Sequence, residues 1–84
     1  MQALDSYIDS NRDRFLSELL DLLRIPSVSA DPVYKADVVR CAEEVKKRML
    51  EAGLEKVEVC PTAGHPIVYG EKILDPSKPT VLVY

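Results

Sequence analysis

Apolar residues return mostly at three- and four-residue intervals along the first part of the chain, at Leu4, Ile8, Phe15, Leu16, Leu19, Leu20 and Leu23. An α-helix turns about 100° per residue, so this spacing collects them on one face and predicts an amphipathic helix from about Ala3 to Arg24. The stripe lapses at Asn11 and Arg12, which predicts that the first half packs more loosely or meets a surface outside these residues. Pro26 disfavours helical backbone at Ile25 and sets the helix end near Arg24.

Pro26 to Tyr34 reads as a loop rich in Ser and Pro. Within it, Asp31 followed by Pro32 predicts a helix start, with Asp as N-cap and Pro at the first helical position; a second start is open at Lys35. The second helix carries Val38, Ala42, Val45, Met49 and Ala52 on one face, with Glu43, Glu44, Lys46, Lys47 and Arg48 largely off it. Gly53 suits the left-handed position that closes a helix, and Leu54 then folds back over the last turn.

After Leu54 the period changes to two. Val57 and Val59 alternate with Lys56, Glu58 and Cys60, which predicts a short strand closed by Pro61. Thr62 to His65 reads as a turn, Pro66 to Ile73 holds the β-rich run Ile67, Val68 and Tyr69, and Asp75 to Pro79 marks another turn. A two-stranded hairpin is the simplest arrangement. Thr80 to Tyr84 has no charged residue and reads as a strand covered on both faces. The fold class is therefore α/β: two amphipathic helices, a β-hairpin and a buried strand. Such a strand needs neighbours that these elements only partly supply, so the chain reads as the start of a larger, incomplete domain.

Composition narrows the function classes. With 46% apolar and 30% charged residues, the chain resembles one with a packed core rather than a disordered segment. Its 84 residues make one small domain at most, of marginal stability, burying little more than about 60% of the unfolded surface. Acidic and basic residues are mixed along the chain and sum to −3; no basic patch is available for a phosphate backbone, which excludes nucleic acid as a partner. No run reaches membrane-spanning length. Met1 to Phe15, with Asp5, Asp9 and Asp13, lacks the basic start and apolar stretch of a secretory signal. Cys41 and Cys60 form no Cys-x-x-Cys pair and are expected as buried free thiols in a reducing, cytoplasmic setting.

Candidate chemistry is sparse. His65 is the only histidine, whereas a zinc site takes three or four N, S or O ligands, so it reads as a turn residue. Asp9, Asn11 and Asp13 imitate the opening of a calcium loop, but Arg14 stands where Gly is required and Leu20 where the bidentate Glu belongs. Ser27 and Ser29 have no second histidine to serve them and no strand-turn-helix setting, and read as loop and cap residues. Gly53, Gly64 and Gly70 are isolated, so no phosphate-cradling loop exists. Glu43 and Glu44 point about 100° apart on a helix beside Lys46 and Lys47, as a solvated surface does. Catalytic, cofactor-binding and metal-ligating residues are all assigned as none.

Four segments in order carry a family resemblance. They are Leu-Leu-Arg-Ile-Pro-Ser-Val-Ser at Leu22 to Ser29, Asp-Pro-Val-Tyr-Lys-Ala-Asp at Asp31 to Asp37, Ala-Gly-Leu-Glu-Lys-Val-Glu-Val at Ala52 to Val59, and Gly-His-Pro-Ile-Val-Tyr-Gly-Glu at Gly64 to Glu71. Together they resemble the dipeptidase branch of zinc metallopeptidase family twenty, the carnosinase, carboxypeptidase G, desuccinylase and acetylornithine deacetylase relatives. Pro79 to Tyr84 looks like the strand that in this family runs into a Gly-His-Tyr-Asp type motif.

The resemblance implies that residues 1–84 are the N-terminal part of the catalytic domain, with no second domain. It implies that the complete enzyme uses two zinc ions to hydrolyse dipeptides or N-acyl amino acids, and that every ligand and the Glu base lie downstream of Tyr84. No cofactor is then expected in this segment, its partner is the remainder of the catalytic domain, and alone it is expected to be inactive. His65 precedes the metal motif and is not a ligand. The alternative is a stand-alone α/β binding or interaction module using an exposed strand edge, an edge that also leaves room for a homo-oligomer.

Overall fold

The computed structural model describes all 84 residues, Met1–Tyr84. Helix α1 spans Gln2–Ser10, α2 Arg12–Leu23 and α3 Lys35–Glu51, with a single 3-10 turn at Pro32–Tyr34; strands β1 and β2 span Lys56–Cys60 and Ile67–Glu71. The chain is thus mixed α/β. Its compact units are Met1–Cys41 and Ala42–Tyr84.

In the first unit, the single helix expected from Ala3 to Arg24 is two helices. Asn11 takes φ −111° and ψ 9° between them. Its side-chain Nδ2 donates to the Tyr7 carbonyl at 2.8 Å while its backbone N–H is shared between Tyr7 and Ile8 at 3.1 and 3.2 Å. An Asn side chain that competes for backbone groups in this way interrupts a helix without Gly or Pro. The joint is tied by Arg14, which donates to Asn11 Oδ1 at 3.2 Å, to the Tyr7 hydroxyl at 3.2 Å and to Glu18 at 2.9 Å. Arg14 also lies 5.0 Å from the centre of the Phe15 ring, which is 6.0 Å from that of Tyr7. Ion pairs Asp9–Arg12 at 2.7 Å and Asp21–Arg24 decorate the outside, where such pairs add little stability. Leu4, Ile8, Leu16, Leu19, Leu20 and Leu23 remain 42–66% exposed, so the stripe is formed but not covered.

The two expected starts of the next helix are both used. The Asp31 carboxylate accepts from the Val33 N–H at 3.0 Å, Pro32 opens the 3-10 turn, and α3 proper begins at Lys35.

In the second unit, α3 ends as Gly53 predicts. Gly53 has φ +102°, its N–H donates to the Leu50 carbonyl at 3.0 Å, and the Leu54 N–H donates to the Met49 carbonyl at 3.2 Å. This is the paired closure of a Schellman motif, which satisfies carbonyls a helix end leaves open. The chain then enters the expected hairpin, antiparallel with Val57 opposite Gly70 and Val59 opposite Val68. Those four residues are half-buried while Lys56, Glu58, Ile67 and Tyr69 are exposed, the alternation a one-sided sheet requires. Gly70 is where the helix end meets the sheet: a Cβ there would lie 2.4 Å from Met49 Cε and 2.7 Å from Leu54 Cδ2. In the connecting loop the Thr62 hydroxyl donates to the His65 carbonyl at 2.6 Å and accepts from the Gly64 N–H at 3.0 Å.

One element differs from expectation. Thr80 to Tyr84 is not a strand; no backbone hydrogen bond reaches it, and Val81, Leu82, Val83 and Tyr84 are 83–113% exposed. The sheet has two strands only. β-propensity reflects fit to a pleated, partnered surface, and here the sequence has the fit without the partner. Ala42, 8% exposed, is the sole buried residue. No helix is long and apolar enough to cross a membrane.

Candidate functional site

A hollow lies in the second unit. The last turn of α3 delivers Met49, the Schellman closure turns Leu54 onto the sheet, and Gly70 admits both. Ile73 continues this wall, and the extended residues Thr80–Val83 face it across a groove of about 520 Å³. The interior is apolar. At the rim the Tyr69 hydroxyl donates to Glu71 Oε2 at 2.8 Å, and that hydrogen bond to a carboxylate raises the phenol above its ordinary 10.0. A neighbouring hollow of about 300 Å³ includes Lys72, Lys78 and Asp75. The Asp75 carboxylate is held by the Ser77 hydroxyl at 2.7 Å and the Ser77 N–H at 3.0 Å, which lowers its pKa. The groove offers an apolar surface with a polar rim, and no nucleophile paired with a base faces into it.

The residues weighed from sequence are not brought into any reactive set. No three His, Cys, Asp or Glu side chains converge to hold a metal ion. The residues present therefore do not fit a di-zinc centre. His65 sits exposed in the hairpin loop, with its carbonyl engaged by Thr62. Asp9 is bound to Arg12 and Asn11 Oδ1 to Arg14, so these oxygens encircle nothing. Ser27 and Ser29 belong to the loop after α2 rather than to a strand-turn-helix elbow. Glu44 pairs with Arg48 at 3.2 Å, as residues four apart on a helix do. Cys41 and Cys60 are free and half-buried rather than fully buried. The role of Gly70 was not visible from sequence, because its neighbours Met49 and Leu54 approach through space.

The chain's likeness is to a metallopeptidase. It is 35% identical to the Cys-Gly metallodipeptidase dug1 of Schizosaccharomyces pombe (strain 972 / ATCC 24843), over a 94-residue alignment covering all of this chain and 20% of the relative. The chain thus spans a fifth of that relative's length. No protein-family profile matches it, and no solved structure does.

Proposed function

We propose that these residues are the N-terminal part of the catalytic domain of a di-zinc metallopeptidase, of the family-twenty dipeptidase branch, and that they catalyse nothing by themselves. The observation that carries this reading is the 35% identity running through the whole chain against only 20% of a metallodipeptidase. The uncovered leucines of α1 and α2 support it, since a larger domain would supply the surface they lack. The substrates of the complete enzyme are dipeptides, Cys-Gly among them, or N-acyl amino acids, and its setting is the cytoplasm. Both metal ions and all ligands belong to the remainder of the domain, which is the natural partner of this segment.

The test is to purify the 84-residue chain, titrate it with zinc calorimetrically, and assay Cys-Gly hydrolysis with zinc or manganese added. Neither stoichiometric zinc binding nor turnover is expected; metal-dependent turnover by this chain alone would overturn the proposal. The coding sequence beyond the Tyr84 codon is expected to continue into a His-x-Asp motif within a few residues. A stop codon there would favour a stand-alone interaction module instead.

A further inference from the structure

In the second unit the end of α3 meets the sheet over Gly70. A Cβ on Gly70 would overlap Met49 Cε and Leu54 Cδ2 and would touch Val57 Cγ2 at 3.5 Å. All four residues are half-buried, and the chain's only fully buried residue is Ala42. A thin layer of side-chain ends, rather than a deep core, therefore holds the helix on the hairpin. Met49 also lines the groove of about 520 Å³, so a small solute reaches its side chain from water. The sequence has one other methionine, Met1, which is 89% exposed and precedes α1.

We propose that Met49 is a modification site, an oxidation-sensitive contact through which hydrogen peroxide releases the end of α3 from the hairpin. The thioether sulfur gives a lone pair to one peroxide oxygen. An S–O bond forms as the O–O bond breaks, the sulfur is oxidised to the sulfoxide, and the other oxygen leaves with both hydrogens as water. An apolar side chain thereby gains a strong hydrogen-bond acceptor, which is costly to hold without a donor. The side chains of Leu54 and Val57 offer none, so the new oxygen turns toward the water of the groove. That rotation lifts Cε from Gly70 and strips Leu54 of the neighbour it shares there. The Gly53 closure, which Leu54 completes, then loses its cover. Cys41 and Cys60 are free thiols that peroxide also oxidises, but a thiol reductant reverses their sulfenic acids and disulfides, whereas the methionine product needs a methionine sulfoxide reductase.

The inference stands on this junction and not on the metallopeptidase reading. The 84-residue chain is treated with graded hydrogen peroxide, returned to a thiol reductant, and followed by peptide mass mapping and urea unfolding. Met1 is expected to gain its oxygen first without moving the unfolding curve. Oxidation of Met49 should then lower the folded-to-unfolded ratio at least about fivefold, with hydrogen exchange at the Leu54 amide accelerating, and methionine sulfoxide reductase should restore both. Met49→Leu, a swap that nearly conserves volume and keeps both cysteines, should make the unfolding curve insensitive to peroxide once the thiols are reduced. Three results overturn the inference: Met49 stays unmodified while the chain is folded, its sulfoxide leaves unfolding unchanged, or Met49→Leu loses stability to peroxide as the parent does. Should Met49→Leu not fold, recovery of the parent chain by the reductase still decides the matter, since damage at the cysteines would not be reversed by that enzyme.

Discussion

Ile67–Glu71 and Thr80–Tyr84 are five-residue stretches of similar character, each with β-branched residues and a tyrosine, yet only the first is a strand. Ile67–Glu71 is answered on one edge by β1 in a five-pair register. It is covered on one face by Met49 and Leu54, which close over Gly70. Thr80–Tyr84 has neither an edge partner nor a cover within the chain. The difference teaches that strand identity here is decided by what approaches the segment, and that Gly70, by having no side chain, is what lets Met49 and Leu54 approach β2.

The largest expected effect comes from blocking that approach. Gly70→Val forces the ends of Met49 and Leu54 aside, and should destabilise the chain by about 1–3 kcal/mol in urea unfolding. Adding Met49→Ala should return part of the loss; no recovery would mean the clash is not with the helix end. Next is Gly53→Val, which puts a β-branched residue at φ +102° and should cost about 1–2 kcal/mol, with hydrogen exchange speeding up at the Leu54 amide first. Asp31→Ala removes the N-cap remote from the hairpin. It should lower stability by about 1 kcal/mol without changing exchange protection of β1 and β2; lost protection there would couple the hairpin to the far end of α3.

The smallest effects are titrations. Glu71 holds the Tyr69 proton, so Tyr69 ionises above its ordinary 10.0. Its contribution is complete below the unfolded-state value and lost as pH rises through the folded one. An ultraviolet titration of Glu71→Gln should show Tyr69 ionising at lower pH than in the parent chain. For Asp75 the sign is opposite. Its pKa is lowered by the Ser77 hydroxyl and then the Ser77 N–H, so its contribution is present above the ordinary carboxylate value and lost as pH falls through the folded one. Ser77→Ala should move the Asp75 carboxyl titration, followed by NMR, to higher pH.

Features set by near neighbours in sequence were legible. Asp31 before Pro32 marked the start before α3, Gly53 its end, and the change of period after Leu54 the hairpin, because each depends on backbone preferences spanning a few residues. The break at Asn11 left a trace, the lapse in the apolar stripe, but the competing hydrogen bond from its side chain to Tyr7 left none. Gly70 looked like an isolated glycine because its reason lies in Met49, far off in sequence. Thr80–Tyr84 read as a buried strand because composition reports suitability and is silent on partners. For the site, the hydrogen bonds that engage Asp9, Asn11 and Asp75 depend on side-chain placement and were not legible. The metallopeptidase likeness was legible in the order of short segments such as Leu22–Ser29, not in any reactive residue.

The Gly53 closure also bears on when structure forms during synthesis. The last turn of α3, the Gly53 bend and the two strands follow one another along the chain, so no distant segment has to be found before they assemble. A hairpin forms in about 1–10 μs, whereas a ribosome adds about 5–20 residues per second. Once Glu71 has cleared the exit tunnel, the hairpin can be complete before another residue is added. Thr80–Tyr84, which follows the hairpin in the chain, would then emerge when that hairpin is already folded.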